Sequence, residues 1–431
     1  MIVLVNSVGL IKFATALSVA SSSISLGFLS HIIMENSYYF HCPLLRFTVT
    51  FFIATLLVGN VGAHPSSSSG THNPCNFPAI FNFGDSNSDT GGYSAVFGQA
   101  WPPAGETYFG APAGRYSDGR LIIDFIAEKL GLPHLSAYLD SIGTNFTHGA
   151  NFATAASRIR KLNHSVPQGR LSPISLDIQK NEYAQFTTRT QTIRNRGGVF
   201  QNLMPRSEYF SRALYTFDIG QNDITSSYNI SMTKEEVKDL TSDIFDEFSE
   251  SIKGIYGLGG RYFWIHNTGP VGCLAYMLDS LQITAGQIDK IGCVKPINDI
   301  AQYFNRRLNE TVVRLRKELP SSAITYVDVY KVKYLLISKA KKYGFKQPLR
   351  ACCGHGGKYN YNSKYGCGAK MKVNGTEIVV GSCKNPKVKI CWDGVHYTEA
   401  ANKFVFDQIV DGSFSDPPIS LTMACRRPTS Y

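Results

Sequence analysis

No serine in this chain of 431 residues stands in the pattern G-x-S-x-G, which excludes the strained nucleophile elbow that one large class of serine hydrolases is built around. No low-complexity linker interrupts the chain after its N-terminal region, so a pair of tethered domains is excluded as well. Charge is sparse. Only 17% of residues are charged against 43% hydrophobic, an ordinary globular mix that can bury a sizeable core. Basic residues do cluster, as Arg158-Ile159-Arg160-Lys161, Lys339-Ala340-Lys341-Lys342 and Arg426-Arg427, but these runs lack the interleaved aromatics of a base-stacking platform. The formal net charge of +11 invites a nucleic-acid reading, but the missing aromatics argue against that partner, and the charge suits electrostatic association with an acidic wall polysaccharide or membrane surface.

Metal-ligand spacing is lacking too. Cys352, Cys353, His355 and Cys367 could be read as a zinc site, but adjacent cysteines suit paired ligation poorly. The ten cysteines instead accompany five glycosylation sequons, at Asn145, Asn163, Asn229, Asn309 and Asn374, and together they indicate secretion and disulfides. The expected location is outside the cell, in the wall or apoplast.

Residues 1–63 read as a targeting region. Phe47 to Val58 is a short apolar core with Arg46 before it and Val61-Gly62-Ala63 after it, the parts of a signal peptide, so cleavage is expected after Ala63. On this reading the signal peptide spans residues 34–63, translation starts at Met34, and residues 1–33 are an extension; an N-terminal anchor is the alternative. Residues 64–431 then form one domain, read as a monomer. Cleavage removes Cys42 and leaves nine cysteines, an odd number that leaves one expected to be unpaired.

What is present centres on Phe77 to Gly92. The apolar run Phe77 to Phe83 reads as a buried strand that stops at Gly84, where the chain turns and exposes Asp85, Ser86, Asn87, Ser88, Asp89 and Thr90. Ser86 thus falls at the carboxyl end of a strand, where open α/β sheets build their sites. Leu214 to Ile219 is a second strand of this kind, ending in Gly220-Gln221-Asn222-Asp223. Further strands are expected at Tyr262 to His266 and Ile324 to Val329, and helices at Leu121 to Leu130, from the capping box Thr233-Lys234-Glu235-Glu236 toward Tyr256, at Ile297 to Leu319 and at Thr398 to Ile409. Strand and helix alternate, which means βαβ units and a parallel sheet covered on both faces.

A nucleophilic hydroxyl needs a base, the base needs an orienting acceptor, and the developing oxyanion needs donors. Trp392-Asp393-Gly394-Val395-His396 supplies an Asp three residues before a His, so a single turn can bring carboxylate and imidazole together. Between these ends lies Gly149-Ala150-Asn151-Phe152, where a glycine lets the backbone approach a ligand.

These four blocks, in this order, resemble the large plant-type branch of the GDSL (SGNH) esterase/lipase family, and the similarity runs from about Cys75 to Cys425, including Thr268-Gly269-Pro270-Val271-Gly272-Cys273. The resemblance implies a flavodoxin-like three-layer α/β/α sandwich with a central, mainly parallel sheet. It implies Ser86 as nucleophile, His396 as base and Asp393 as its partner, with an oxyanion hole formed by the backbone N–H groups of Ser86 and Gly149 and the side-chain amide of Asn222. No cofactor or metal is implied, and the substrate is a small-molecule or polysaccharide-linked ester. Relatives keep Cys75 and the Cys352 to Cys383 group, so the resemblance marks Cys391 as the departure and the expected unpaired cysteine, read as a small buried apolar residue in preference to a reactive thiol. Asp85, Asp89 and Asp223 are read as loop hydrogen-bonders, and the aromatics Trp101, Tyr108, Phe109 and Tyr116 as either core or a wall for an apolar or sugar-ring substrate. Two other classes stay open: a catalytically silent glycan- or wall-binding protein on this scaffold, and a glycosidase using Asp85 and Asp393.

Overall fold

The computed structural model describes residues 73–140, 142–161, 171–227 and 231–427. The expected targeting region, Cys42, Asn163 and Asn229 lie outside the described residues. Among the described residues eight strands are formed: β1 (Ile80–Gly84), β2 (Gly149–Asn151), β3 (Leu214–Asp218), β4 (Tyr262–His266), β5 (Ala323–Val327), β6 (Lys370–Val373), β7 (Thr376–Val379) and β8 (Ser415–Asp416). Six of them make one sheet in the order β2-β1-β3-β4-β5-β8, parallel throughout except for β8, which runs antiparallel to β5 at the edge. The helices are α1 (Gly92–Phe97), α2 (Ile122–Lys129), α3 (Leu176–Arg196), α4 (Gln221–Ser227), α5 (Lys234–Gly257), α6 (Ala275–Ser280), α7 (Lys295–Glu318), α8 (Val329–Ser338) and α9 (Glu399–Ile409).

Alternation along each strand divides the core in two. Phe81, Phe83, Tyr215, Phe217, Phe263 and Ile265 face one side and pack with Tyr183 and Phe186 of α3, Phe245 and Phe248 of α5 and Phe304 of α7. Ile80, Leu214, Trp264 and Val327 face the other side and pack with Phe125 of α2, Val332 of α8 and Phe406 of α9. With helices on both faces, the expected three-layer sandwich is the observed one. It lies within a compact unit running from Pro74 to Tyr431.

Element ends shift for local reasons. The box at Thr233 closes as expected, Thr233 Oγ1 accepting from Glu236 N–H at 3.2 Å and Glu236 Oε2 from Thr233 N–H at 2.8 Å. Helix α7 starts at Lys295, two residues before the expected Ile297, because Pro296 fits the first helical turn, where its missing N–H costs nothing. Strand β5 stops at Val327, since Asp328 caps α8 by accepting from Lys331 N–H at 3.0 Å.

Candidate active site

The carboxyl end of β1 carries the nucleophile candidate. A Cβ on Gly84 would sit 2.6 Å from the Asp218 carbonyl of neighbouring β3, so only glycine lets the two strand ends close up here. Beyond it Asp85 N–H donates to Asp218 O at 3.1 Å, and the N–H groups of Ser88 and Asp89 return to Asp85 O at 3.1 and 2.9 Å. The chain reverses in a tight turn with Ser86 at its tip.

Buried carboxylates hold that turn. Asp85 Oδ1 accepts from the Asn87 backbone N–H at 2.9 Å. Asp89 accepts from the N–H groups of Gly91, Gly92, Tyr93 and Ala155 at 2.8, 2.6, 3.0 and 2.7 Å, and Asp223 from Ile159 and Arg160 at 2.9 and 3.1 Å. Burial dominates their titration, raising Asp89 and Asp223 to about 6; burial and then the charge of Asp218 raise Asp85 to about 7. All three hold loops, as the sequence reading has it.

Below the turn runs a polar ladder that sequence reasoning missed. Thr216 Oγ1–H donates to Asn82 Oδ1, Asn82 Nδ2–H to Asn151 Oδ1, and Asn151 Nδ2–H to the Ser88 carbonyl, at 2.7, 2.7 and 2.6 Å. Three polar residues on adjacent inward-facing strand positions were the available signal.

His396 comes from the loop before α9, 310 residues along the chain from Ser86, and its Nε2 lies 2.7 Å from Ser86 Oγ. Its Nδ1 lies 2.6 Å from Asp393 Oδ2, while Asp393 Oδ1 accepts from the N–H groups of Val395 and His396 at 2.9 and 2.8 Å. A carboxylate accepts only, so Nδ1 carries the proton and Nε2 is left to accept from the Ser86 hydroxyl. Burial pushes the Asp393 carboxyl up, but the charge and hydrogen bond of His396 outweigh it and hold the carboxyl below its ordinary value. Burial likewise disfavours the imidazolium, yet the charge and hydrogen bond of Asp393, followed by the charge of Asp85, raise the His396 pKa above its ordinary value.

Asn222 lies in the first turn of α4, which follows β3 closely. Its Nδ2 donates to the Ser157 carbonyl at 2.9 Å and reaches Asp85 Oδ2 at 3.4 Å, so the amide stands beside the nucleophile turn.

Gly149 is not brought to the site. It pairs with Ile80, the first residue of β1, and its N–H donates to Phe146 O at 2.9 Å. Four residues of strand separate Ile80 from Gly84, roughly 13 Å. The need for glycine there is steric: at φ +110° a Cβ would lie 1.8 Å from the Ile80 carbonyl oxygen. The segment after β2 does come over the turn, with Thr154 N–H donating to Gly84 O at 3.2 Å. Within it Ala156 has a left-handed backbone at φ +62°. Among the described residues, neither Ala156 N–H nor Ser86 N–H has a hydrogen-bond acceptor. The sequence signal was the run of small residues Ala153 to Ser157, downstream of the glycine.

Of the loop aromatics, only Tyr116 reaches the site, its ring centroid 5.4 Å from that of His396. Trp101 is 72% exposed, and Tyr108 and Phe109 stack on the guanidinium groups of Arg120 and Arg115. The thiols of the alternative zinc reading are in disulfides, Cys352–Cys383 and Cys353–Cys367; Cys75–Cys425 and Cys273–Cys293 are also bonded. Cys391 is free and buried, as expected, and burial pushes its thiol up to about 12. No described helix is long and apolar enough to cross a membrane.

A family model described as GDSL-like lipase/acylhydrolase matches residues 80–409. A GDSL esterase/lipase of Arabidopsis thaliana is 56% identical over 376 residues, spanning 87% of this chain and 98% of the relative. One from Zea mays is 59% identical over 362 residues, spanning 83% and 91%. A protein named alpha-L-fucosidase 3, also of Arabidopsis thaliana, is 56% identical over 364 residues, spanning 84% and 96%.

Proposed function

The chain belongs to the GDSL-like lipase/acylhydrolase family and is a carboxylic ester hydrolase, and from that premise we propose that it is a secreted serine esterase working through an acyl-serine intermediate. One observation carries the reading: Ser86 Oγ, the His396 imidazole and the Asp393 carboxylate form a single hydrogen-bonded line of 2.7 and 2.6 Å. Ser86 Oγ attacks the ester carbonyl as its proton passes to His396 Nε2, and Asp393 stabilises the imidazolium. The tetrahedral intermediate collapses, His396 returns the proton to the departing alkoxide, and the acyl group stays on Ser86. Water then enters, gives a proton to His396 and attacks the acyl carbon. Ser86 leaves protonated, with the free acid released.

The oxyanion is assigned to Ser86 N–H, the Asn222 amide and Ala156 N–H in place of Gly149. Ser86 N–H and Ala156 N–H, both without an acceptor among the described residues, support this assignment, since the segment of Ala156 is bonded to the Ser86 turn through Thr154 N–H and Gly84 O. Four disulfides and the exposed sequons at Asn145 and Asn374 support secretion, because such bridges persist in oxidising compartments.

A fluorophosphonate probe tests the reading. The expected adduct is on Ser86, absent from Ser86→Ala and slowed in His396→Ala; unlabelled wild type overturns the mechanism and favours a silent binding protein. The fucosidase-named relative raises a glycosidase as the second reading. That reaction needs two carboxylates flanking the scissile bond, whereas Asp85 and Asp393 are both committed to local N–H donors. Hydrolysis of a nitrophenyl fucoside that survives Ser86→Ala would establish it.

A further inference from the structure

We propose that the segment from Lys339 to Lys389 is a binding surface for a carboxylated, uronate-type polysaccharide, which it holds beside Ser86. The segment contains eleven lysines and Arg350 against the single carboxylate of Glu377, a net charge of +11, equal to the formal net charge of the whole chain. The other 380 residues carry 31 cations and 31 carboxylates and balance. The excess charge is therefore a local feature and not a background.

Internal neutralisation does not explain it. Of the twelve cations only Lys370 has a carboxylate partner, Glu377 at 3.4 Å, and Lys339, Lys341, Lys342, Lys346, Lys372, Lys384 and Lys387 are exposed. Lys389 is half-buried with Arg350 and Lys346 near it; burial first and their repulsion second lower its pKa. Like charges gathered without counter-charges cost self-repulsion, which an incoming polyanion relieves.

The segment is stapled and joined to the site. Cys352–Cys383 and Cys353–Cys367 close it on itself. Cys352 and Cys353 N–H groups donate to the carbonyls of Cys391 and Trp392 at 3.0 and 2.7 Å, directly before Asp393. A Cβ on Gly394 would lie 2.2 Å from the Tyr361 ring, so the segment packs on the loop that carries His396. These contacts tie the segment to the loop that carries His396.

The chemistry favours spaced carboxylates. Lysine is a hydrated point charge without the planar fork that grips phosphate in two places, and it outnumbers arginine here eleven to one. The half-buried tyrosines Tyr359 and Tyr361 pack inward against Ala275 and Ala351, so they offer no stacking row for bases. Disulfides mark an oxidising compartment, where the polyanion at hand is polysaccharide and not nucleic acid.

The presentation to Ser86 rests on the esterase reading; the binding does not. The test compares full-length wild type with Lys372→Glu/Lys384→Glu/Lys387→Glu in the segment and with Lys234→Glu/Lys290→Glu/Lys317→Glu outside it, a control of equal charge change. Binding to polygalacturonate is measured at about 0.1 M salt, where charges beyond about 10 Å are screened. The expected result is salt-sensitive wild-type binding, weakened about tenfold or more by the segment variant and less than about twofold by the control. Nitrophenyl acetate hydrolysis is expected to be the same in all three. Equal weakening in both variants, no weakening in either, or tighter wild-type binding to duplex DNA or phosphatidylserine vesicles overturns the proposal. Failure of wild type to hydrolyse nitrophenyl acetate sinks the esterase reading instead, and the binding result still decides this one.

Discussion

Replacing Asp393 by Asn removes one charge and leaves the shape nearly unchanged, which makes its consequence calculable. Oδ1 of Asp393 accepts two backbone N–H groups and Oδ2 accepts one ring N–H. An asparagine amide has one oxygen and one NH2. Pointing the NH2 at Val395 and His396 opposes donors twice; pointing it at the ring opposes a donor once. The amide therefore keeps its oxygen on the backbone and aims NH2 at Nδ1. His396 escapes by moving its proton to Nε2, where it can no longer accept from Ser86. Such a tautomer defect costs about ten-thousandfold in kcat, or about 5.4 kcal/mol at about 1.36 kcal/mol per tenfold. With both backbone bonds kept, Tm should barely move. The assay is nitrophenyl acetate turnover across the neutral range beside a thermal melt. If Asp393→Asn keeps more than about a tenth of the wild-type kcat with an unaltered Tm, Asp393 does not set the tautomer and the proton line is wrong.

The pH dependence has a definite sign. His396 must be neutral to accept the Ser86 proton, and its pKa is held above the ordinary imidazole value, so kcat/KM should rise with pH along a limb centred above about 6.5; a limb centred below about 6 contradicts the role of Asp393. Asn222→Ala is expected to lower kcat by roughly a hundredfold or more, the cost of one oxyanion donor at about 2.7–4 kcal/mol, with little change in Tm. Gly149→Ala should do the reverse, since its Cβ meets the Ile80 carbonyl at 1.8 Å: a lower Tm or yield, with kcat per folded molecule kept. A stable Gly149→Ala protein with a hundredfold lower kcat would restore Gly149 as a donor. Replacing Cys75 and Cys425 by Ser opens a link across 350 residues and should cost on the order of 4–5 kcal/mol, read as a lower denaturation midpoint.

Much of the fold was legible because its signals are local. The run Phe77 to Phe83 flagged β1, which the structure starts at Ile80, after Pro78, and which is buried on both faces, as strands of continuous apolar runs are. Asp393 and His396 were legible as a pair because three residues of chain suffice to join them. Helix α3 was missed: of its 21 residues, only Leu176, Tyr183 and Phe186 are large buried apolar side chains, too few to mark a face. The β6–β7 hairpin was missed because its strands are only four residues each: β6 does alternate, but over too short a run, and β7 is exposed throughout, so no buried face marks it.

Residue order alone determined the alternation of strands and helices and the chemical types available as nucleophile, base and acceptor, because each depends on neighbours within a few positions. Tertiary structure decided what depends on register across the sheet. Pairing Ile80 with Gly149 puts that glycine at the amino end and carries Ala156 to the carboxyl end, where Ser86 lies. A chain spells out which residues follow one another, but only the ladder of hydrogen bonds between strands sets which of them share an end of the sheet.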